Sequence, residues 1–176
     1  MLIAITGTPG TGKTTVSKKL SEYLSYEYVS VNDLARKKGY IIGKDEERDA
    51  EEVDIVKLRG LELVGDKVLD GHLSHFIPSD ITIVLRCRPD VLKKRIQGKG
   101  WNDEKVQENL EAEILGIISS ETKSEQERVH EIDNTSKSPD ETVEEIIDVV
   151  DGDESIETID WLEGYQDMLS TDMNYS

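Results

Sequence analysis

Residues Gly7 to Thr14 read Gly-Thr-Pro-Gly-Thr-Gly-Lys-Thr, filling every fixed position of the glycine, four residues, glycine, lysine, serine or threonine pattern that cradles nucleotide phosphates. The chemistry follows from the residue types. Gly10 and Gly12 let the backbone turn with several N–H groups pointing inward, Lys13 reaches the outer phosphates, and Thr14 offers a hydroxyl to a magnesium ion, with Thr15 closing the phosphate site. A phosphate loop needs a second, acidic element to hold the metal. The stretch Val-Leu-Asp-Gly at 68–71 supplies it, because Asp70 ends a buried strand and can act beside Thr14 directly or through water. A third element is Arg-Ile-Gln-Gly-Lys at 95–99, whose two cations, Arg95 and Lys99, share one helical face just before a glycine break and suit a short arm closing over phosphates. A fourth, Asp-Leu-Ala-Arg at 33–36, follows the second strand and sends Arg36 toward a possible second anion. Taken singly, an Asp-Gly pair is also a turn and a cationic helix end also answers the helix dipole.

These residues need a scaffold that gathers them. Leu2 to Thr6 is a short β-prone run, and after Lys13 the residues Val16, Leu20, Tyr23 and Leu24 recur at helical spacing, so strand, loop and helix come in the order the loop requires. The helix N-terminus adds unpaired N–H groups and its positive dipole end to the site. Further β-prone runs at Glu27 to Val31, Lys67 to Asp70, Ile81 to Cys87 and Val129 to Asp133 are separated by helical pattern rather than hairpin turns. The reading is a five-stranded parallel α/β sheet, doubly wound, with ligands at the carboxyl ends of the strands. Asn102 caps a long helix from Asp103 to about Arg128 with Val106, Leu110, Ile114, Ile117 and Ile118 as its buried stripe. Ser138, Pro139 and Glu141 open a last helix that buries Val143, Ile146, Ile147 and Val150 before Gly152 stops it.

Composition narrows the function classes. At 176 residues the chain holds one α/β core; a single cysteine, Cys87, excludes an internal disulfide and a cysteine-based zinc cluster. No run approaches a membrane span or a secretory leader, so a soluble, cytoplasmic protein without membrane contact is expected. The net charge of −17 argues against extensive direct nucleic-acid binding. Eight acidic residues and no Lys or Arg fall in 151–176, which contributes −8 and leaves −9 for the rest. That acidic extension reads either as a solvated appendage or, through Trp161, Leu162, Tyr165, Met168 and Leu169 at helical spacing, as a docking stripe for this domain or a partner.

Together the four elements and Asn-Thr-Ser at 134–136 resemble the nucleoside monophosphate kinases, and among them the small archaeal adenylate kinases related to the eukaryotic nuclear adenylate kinase that is also described as an ATPase and ribosome-assembly factor. Asn-Thr-Ser resembles the adenine-side loop of that family, and Asp-Gly-His at 70–72 and Lys-Gly-Trp-Asn at 99–102 are similar to signals of the subgroup. The resemblance covers residues 1 to about 150. It implies a three-layer phosphate-loop fold, a short monophosphate-binding insertion at about 31–65 and a short lid at about 98–108, with residues 151–176 outside. It further implies that Mg-ATP binds at Gly7 to Thr15 with Lys99, that AMP or another nucleoside monophosphate binds at Asp33 and Arg36, and that Lys13, Asp70, His72 and Arg95 serve phosphoryl transfer, Thr14 and Asp70 facing the metal. ATP hydrolysis, a basic small-subunit ribosomal protein as partner, a role in ribosome biogenesis and a monomeric free state are expectations of the same resemblance. Departures are informative. Ordinary adenylate kinases continue Asp-Gly-Phe-Pro-Arg where this chain has His72, Leu73 and Ser74, so one acceptor-phosphate arginine is missing, and Lys99 replaces a lid arginine without its bidentate fork. His72 reads as an orienting group for acceptor or water and equally as a packed polar residue; His75, His130 and Cys87 read as structural. The loop itself also resembles that of ring-forming ATPases, which carry a larger domain and a helical lid. A GTPase is set aside for want of the guanine-reading Asn-Lys-x-Asp.

Overall fold

Each strand foreseen from an apolar run forms, because parallel strands shielded on both faces are stable only where β-prone side chains fill both. The computed structural model describes residues 1–46, 50–152 and 158–170. In chain order its elements are β1 (Leu2–Thr6), α1 (Lys13–Leu24), β2 (Glu27–Ser30), α2 (Val31–Lys38), β3 (Ile41–Asp45), β4 (Ala50–Val53), α3 (Ile55–Arg59), β5 (Lys67–Asp70), β6 (Ile81–Arg86), α4 (Pro89–Gln97), α5 (Asp103–Ile114), α6 (Ile117–Glu125), β7 (Val129–Asp133), α7 (Pro139–Asp151) and α8 (Leu162–Tyr165). The main sheet has the order β2-β5-β1-β6-β7 and every pairing in it is parallel. In register, Ile5 lies beside Asp70 on one side and Ile83 on the other. On one face, Val16 and Leu20 of α1 and Val143, Ile146 and Val149 of α7 pack on Ile3, Ile5, Ile83 and Leu85. On the other, Val31 of α2 and Leu58 of α3 pack with Ala4, Leu69 and Ile77. Alternation along β1 thus feeds both layers, and each fully buried aliphatic side chain contributes roughly 1.5–3 kcal/mol of transfer free energy. Because all five strands run one way, Thr6, Ser30, Asp70, Arg86 and Asp133 end at one edge, where the glycine loop also lies.

The last helix is capped as its sequence predicts. Ser138 accepts from the Glu141 N–H, Glu141 returns the bond to the Ser138 N–H, Pro139 opens the helix and Gly152 closes it. Among the described residues no helix is long and apolar enough to cross a membrane.

Four expectations are corrected. The connection between β2 and β5 is not wholly helical: β3 and β4 form an antiparallel hairpin there, in the segment expected to hold the monophosphate. The helix expected over Asp103 to Arg128 is two helices, divided at Leu115 and Gly116, where Gly116 has φ +63°. At the end of α5 the Glu113 carbonyl accepts from the Gly116 N–H at 3.2 Å and also from Arg86 Nη2 at 2.8 Å. Ile117 is consequently exposed, as is Tyr23 on the outer side of α1. The tail stripe is not one helix either: a single turn, α8, runs into a 3-10 turn at Gln166–Met168, and Leu162 is exposed. Residues 158–170 lie against the domain, which favours the docking reading of the tail; 153–157 and 171–176 lie outside the described residues.

Candidate functional site

Gly10 and Gly12 adopt φ of +97° and +100°, a conformation that favours glycine, and a Cβ on Gly10 would stand 2.4 Å from Ile96 Cγ2. The loop therefore packs against α4 with no room for a side chain. It is tied down elsewhere by polar contacts. Asn134 Nδ2 donates to the Thr11 carbonyl at 2.7 Å and its Oδ1 accepts from Thr142 Oγ1 at 2.6 Å. Thr8 Oγ1 donates to Glu113 Oε2 at 2.6 Å, and Lys13 Nζ donates to the Thr8 carbonyl at 3.1 Å. Burial pushes the Lys13 ammonium down to about 8, with Lys99 adding to the fall and Asp70 opposing it.

A cleft of about 690 Å³ opens over the loop, lined by Gly10, Gly12, Lys13, Thr14, Thr15, Tyr28, Asp33, Asp70, His72, Arg95 and Lys99 among others. Thr14 Oγ1 donates to Asp70 Oδ2 at 2.8 Å, as β5 and the first turn of α1 require once Ile5 and Asp70 are in register. Tyr28 Oη donates to the same oxygen at 2.7 Å, and burial together with that bond raises the phenol well above its ordinary value. Asp70 Oδ1 is buried with no hydrogen-bond partner. An unsatisfied carboxylate oxygen beside a threonine hydroxyl is a hard-donor pair that fits a magnesium ion or its water. Arg95 lines the same cleft and donates through Nη2 to the carbonyls of Asn134 and Thr135 at 3.1 and 2.7 Å. Lys99 stands over the Trp101 ring, 5.2 Å from its centroid.

A second cleft of about 370 Å³ adjoins the first, with Asn32 and His72 lining both. Arg36, Ile41, Lys44, Ala50, Glu51 and Val53 complete it, so the unforeseen hairpin is its outer wall. Arg36 is ion-paired here, donating to Glu51 Oε2 at 2.6 Å and Asp33 Oδ1 at 2.8 Å. His72 is open to solvent at the cleft surface yet close to surrounding protein, and that desolvation with the Lys13 charge lowers its imidazole to about 4. His75, by contrast, is buried beside Thr6 Oγ1, 3.0 Å away, and burial lowers it to about 4 as well. Cys87 is buried and its thiol is pushed up to about 11, first by that burial.

The structure brings every sequence-nominated site residue to one of the two clefts. It also adds Tyr28 and Lys44 to the clefts, and Glu113 as the buried partner of Thr8, whose positions the motifs did not mark. Glu113 carried one signal: it is a charge beside the apolar stripe of Leu110 and Ile114, the mark of a buried, paired carboxylate.

Fold and site define a phosphate-loop protein of the three-layer α/β kind. Two solved structures share that fold: a shikimate kinase from Acinetobacter baumannii in complex with shikimate, with TM-score 0.58 at 18% identity over 85% of this chain and 92% of that one, and a deoxyadenosine kinase from M. mycoides, with TM-score 0.56 at 16% identity over 88% of this chain and 100% of that one. A family model described as an AAA domain matches residues 3–116, from β1 through α5. A Thermococcus onnurineus protein provisionally named adenylate kinase is 45% identical over 175 residues, covering 96% of each chain. One from Methanocaldococcus jannaschii, with the same provisional name, is 37% identical over 98% of this chain and 99% of its own. The chain belongs to the family of that AAA-domain model and to this archaeal group. Beyond β7 the described residues form α7 and the short α8, rather than the helical lid expected of ring-forming ATPases.

Proposed function

We propose that the protein transfers the γ-phosphoryl group of Mg-ATP to AMP or a related nucleoside monophosphate in the cytoplasm. The observation that supports this most is the pair of clefts sharing the His72 and Asn32 wall, one holding the phosphate loop and the other Arg36. Two phosphates lodged on either side of one wall stand near each other, and positioning of that kind is the larger part of phosphoryl-transfer catalysis. In this reading the backbone from Gly7 to Thr15 and Lys13 hold the donor phosphates, while Arg95 and Lys99 neutralise the transferring group. Thr14 and Asp70 hold the magnesium ion, which supplies further charge neutralisation on the phosphate oxygens when bound. Arg36 exchanges Glu51 or Asp33 for the acceptor phosphate. Lys44 lines the same cleft and supplies the second cation that the missing arginine after His72 would otherwise give. His72 is neutral at physiological pH, so it orients the acceptor oxygen as a hydrogen-bond partner and adds no charge.

ADP formation from Mg-ATP, measured with and without AMP, tests the reading. AMP-dependent turnover is expected, and Lys13→Ala is expected to lower it by on the order of 10²- to 10³-fold, the loss of one preorganised charge donor. A variant that keeps full AMP-dependent turnover contradicts the assignment. An assembly ATPase bound to a basic ribosomal protein draws on the resemblance and the net charge alone; turnover indifferent to AMP but raised by such a protein would favour it.

A further inference from the structure

The described part of the acidic tail crosses the elements that carry the donor cleft. Arg86 Nη1 donates to the Ile159 carbonyl at 2.9 Å, and Trp161 Nε1 donates to Glu113 Oε1 at 3.2 Å. Tyr165 Oη donates to Asp90 Oδ1 on α4 at 3.0 Å. Gln107 of α5 donates to the Met168 carbonyl at 2.7 Å, while the Met168 side chain packs into the cluster of Leu92, Ile96, Val106 and Leu110 between α4 and α5. These two helices bracket the Lys99 segment, α4 carries Arg95, and Ile96 is the residue against which Gly10 is packed.

Glu113 is the hinge of this arrangement. It is 2% exposed, and a carboxylate that deep is tolerated only where donors saturate it. Arg86 Nε at 2.8 Å, the Cys87 N–H at 3.0 Å and Trp161 Nε1 converge on Oε1, while Thr8 of the phosphate loop holds Oε2. Thr8 in turn offers its carbonyl to the Lys13 ammonium. A path of hydrogen bonds through Glu113 and Thr8 therefore runs from Trp161 to the lysine at the centre of the loop.

We propose that residues 158–170 form a strap that positions the donor site: Trp161 acts through Glu113 and Thr8 on the phosphate loop, and Tyr165 and Met168 act through α4 and α5 on Arg95 and Lys99. The inference rests on the reading of Gly7 to Thr15 as the ATP site. Trp161 and Tyr165 are positioning residues, since neither lines the cleft.

Calorimetric titration of the full chain with Mg-ATP tests it, using Trp161→Phe and Tyr165→Phe, each of which keeps a ring and loses one donor. Each variant is expected to bind ATP about 5- to 10-fold more weakly, a part of the worth of a hydrogen bond to a charged group, with more weakening when the two are combined. The unfolding midpoint of the ligand-free protein is recorded alongside. Wild-type ATP affinity in both variants overturns the strap, and a lowered midpoint with unchanged affinity does so too, because it marks a contact that only stabilises. Wild-type protein that fails to bind ATP overturns the donor-site reading itself, and the strap with it.

Discussion

At Lys13 two demands conflict: the ammonium must face phosphates, and the loop that aims it also buries it. Its value near 8 in the free protein is the result. Phosphates brought against it favour the charged form, so binding ATP takes up a proton once the pH nears 8, and affinity falls as pH rises through that value. Binding enthalpies measured at pH 8.5 in buffers of different ionisation enthalpy should reveal this uptake, and Lys13→Arg, which does not titrate there, should abolish it. Zero uptake in the wild type would contradict the placement. At this scale the sequence was readable wherever a motif fixes both type and spacing, as at Gly10, Gly12, Lys13, Thr14 and Asp70. It was silent on Tyr28, which meets Asp70 only because β2 and β5 pair with Tyr28 beside Val68 and Ser30 beside Asp70. It was silent too on Asn134 as a brace for the loop, although Asn-Thr-Ser resembles an adenine-side loop.

Between elements, the clearest lesson is the break at Gly116. Val106, Leu110, Ile114, Ile117 and Ile118 keep helical spacing straight across it, so periodicity alone predicts one helix. The glycine decides otherwise by taking φ +63°, and the Glu113 carbonyl at the break accepts from both the Gly116 N–H and Arg86. An alanine Cβ at 116 would meet nothing nearer than the Arg86 guanidinium nitrogens at 3.8 Å, which leaves the left-handed backbone as the cost. Gly116→Ala should therefore lower unfolding free energy by about 1–2 kcal/mol in denaturant titration, with an unchanged slope, and no loss would show that the turn is not strained by a side chain. The hairpin of β3 and β4 escaped for a related reason. Its residues are half-buried or exposed, with no continuous apolar run, so neither period stands out. The five sheet strands were legible because shielding on both faces leaves a nearly unbroken apolar record.

For the whole molecule, the division expected at residue 150 is not followed by the packing. The strap returns to α4, α5, β6 and β7, so the chain beyond α7 bears on the same edge as the phosphate loop. Composition foretold the charge of that segment and its apolar stripe, yet not its destination, because docking depends on the groove that α4 and α5 form once folded. The proposed activity requires one molecule to hold two nucleotides end to end, the donor on the loop and the acceptor beside Arg36. Titration with a bisubstrate analogue, two adenosines joined by a polyphosphate chain, tests it most directly. One analogue should bind per chain, more tightly than ATP, and both Lys13→Ala and Arg36→Ala should weaken it by at least about 10-fold, since each removes a charged phosphate contact. Binding no tighter than ATP, or unaffected by Arg36→Ala, would contradict a two-nucleotide site.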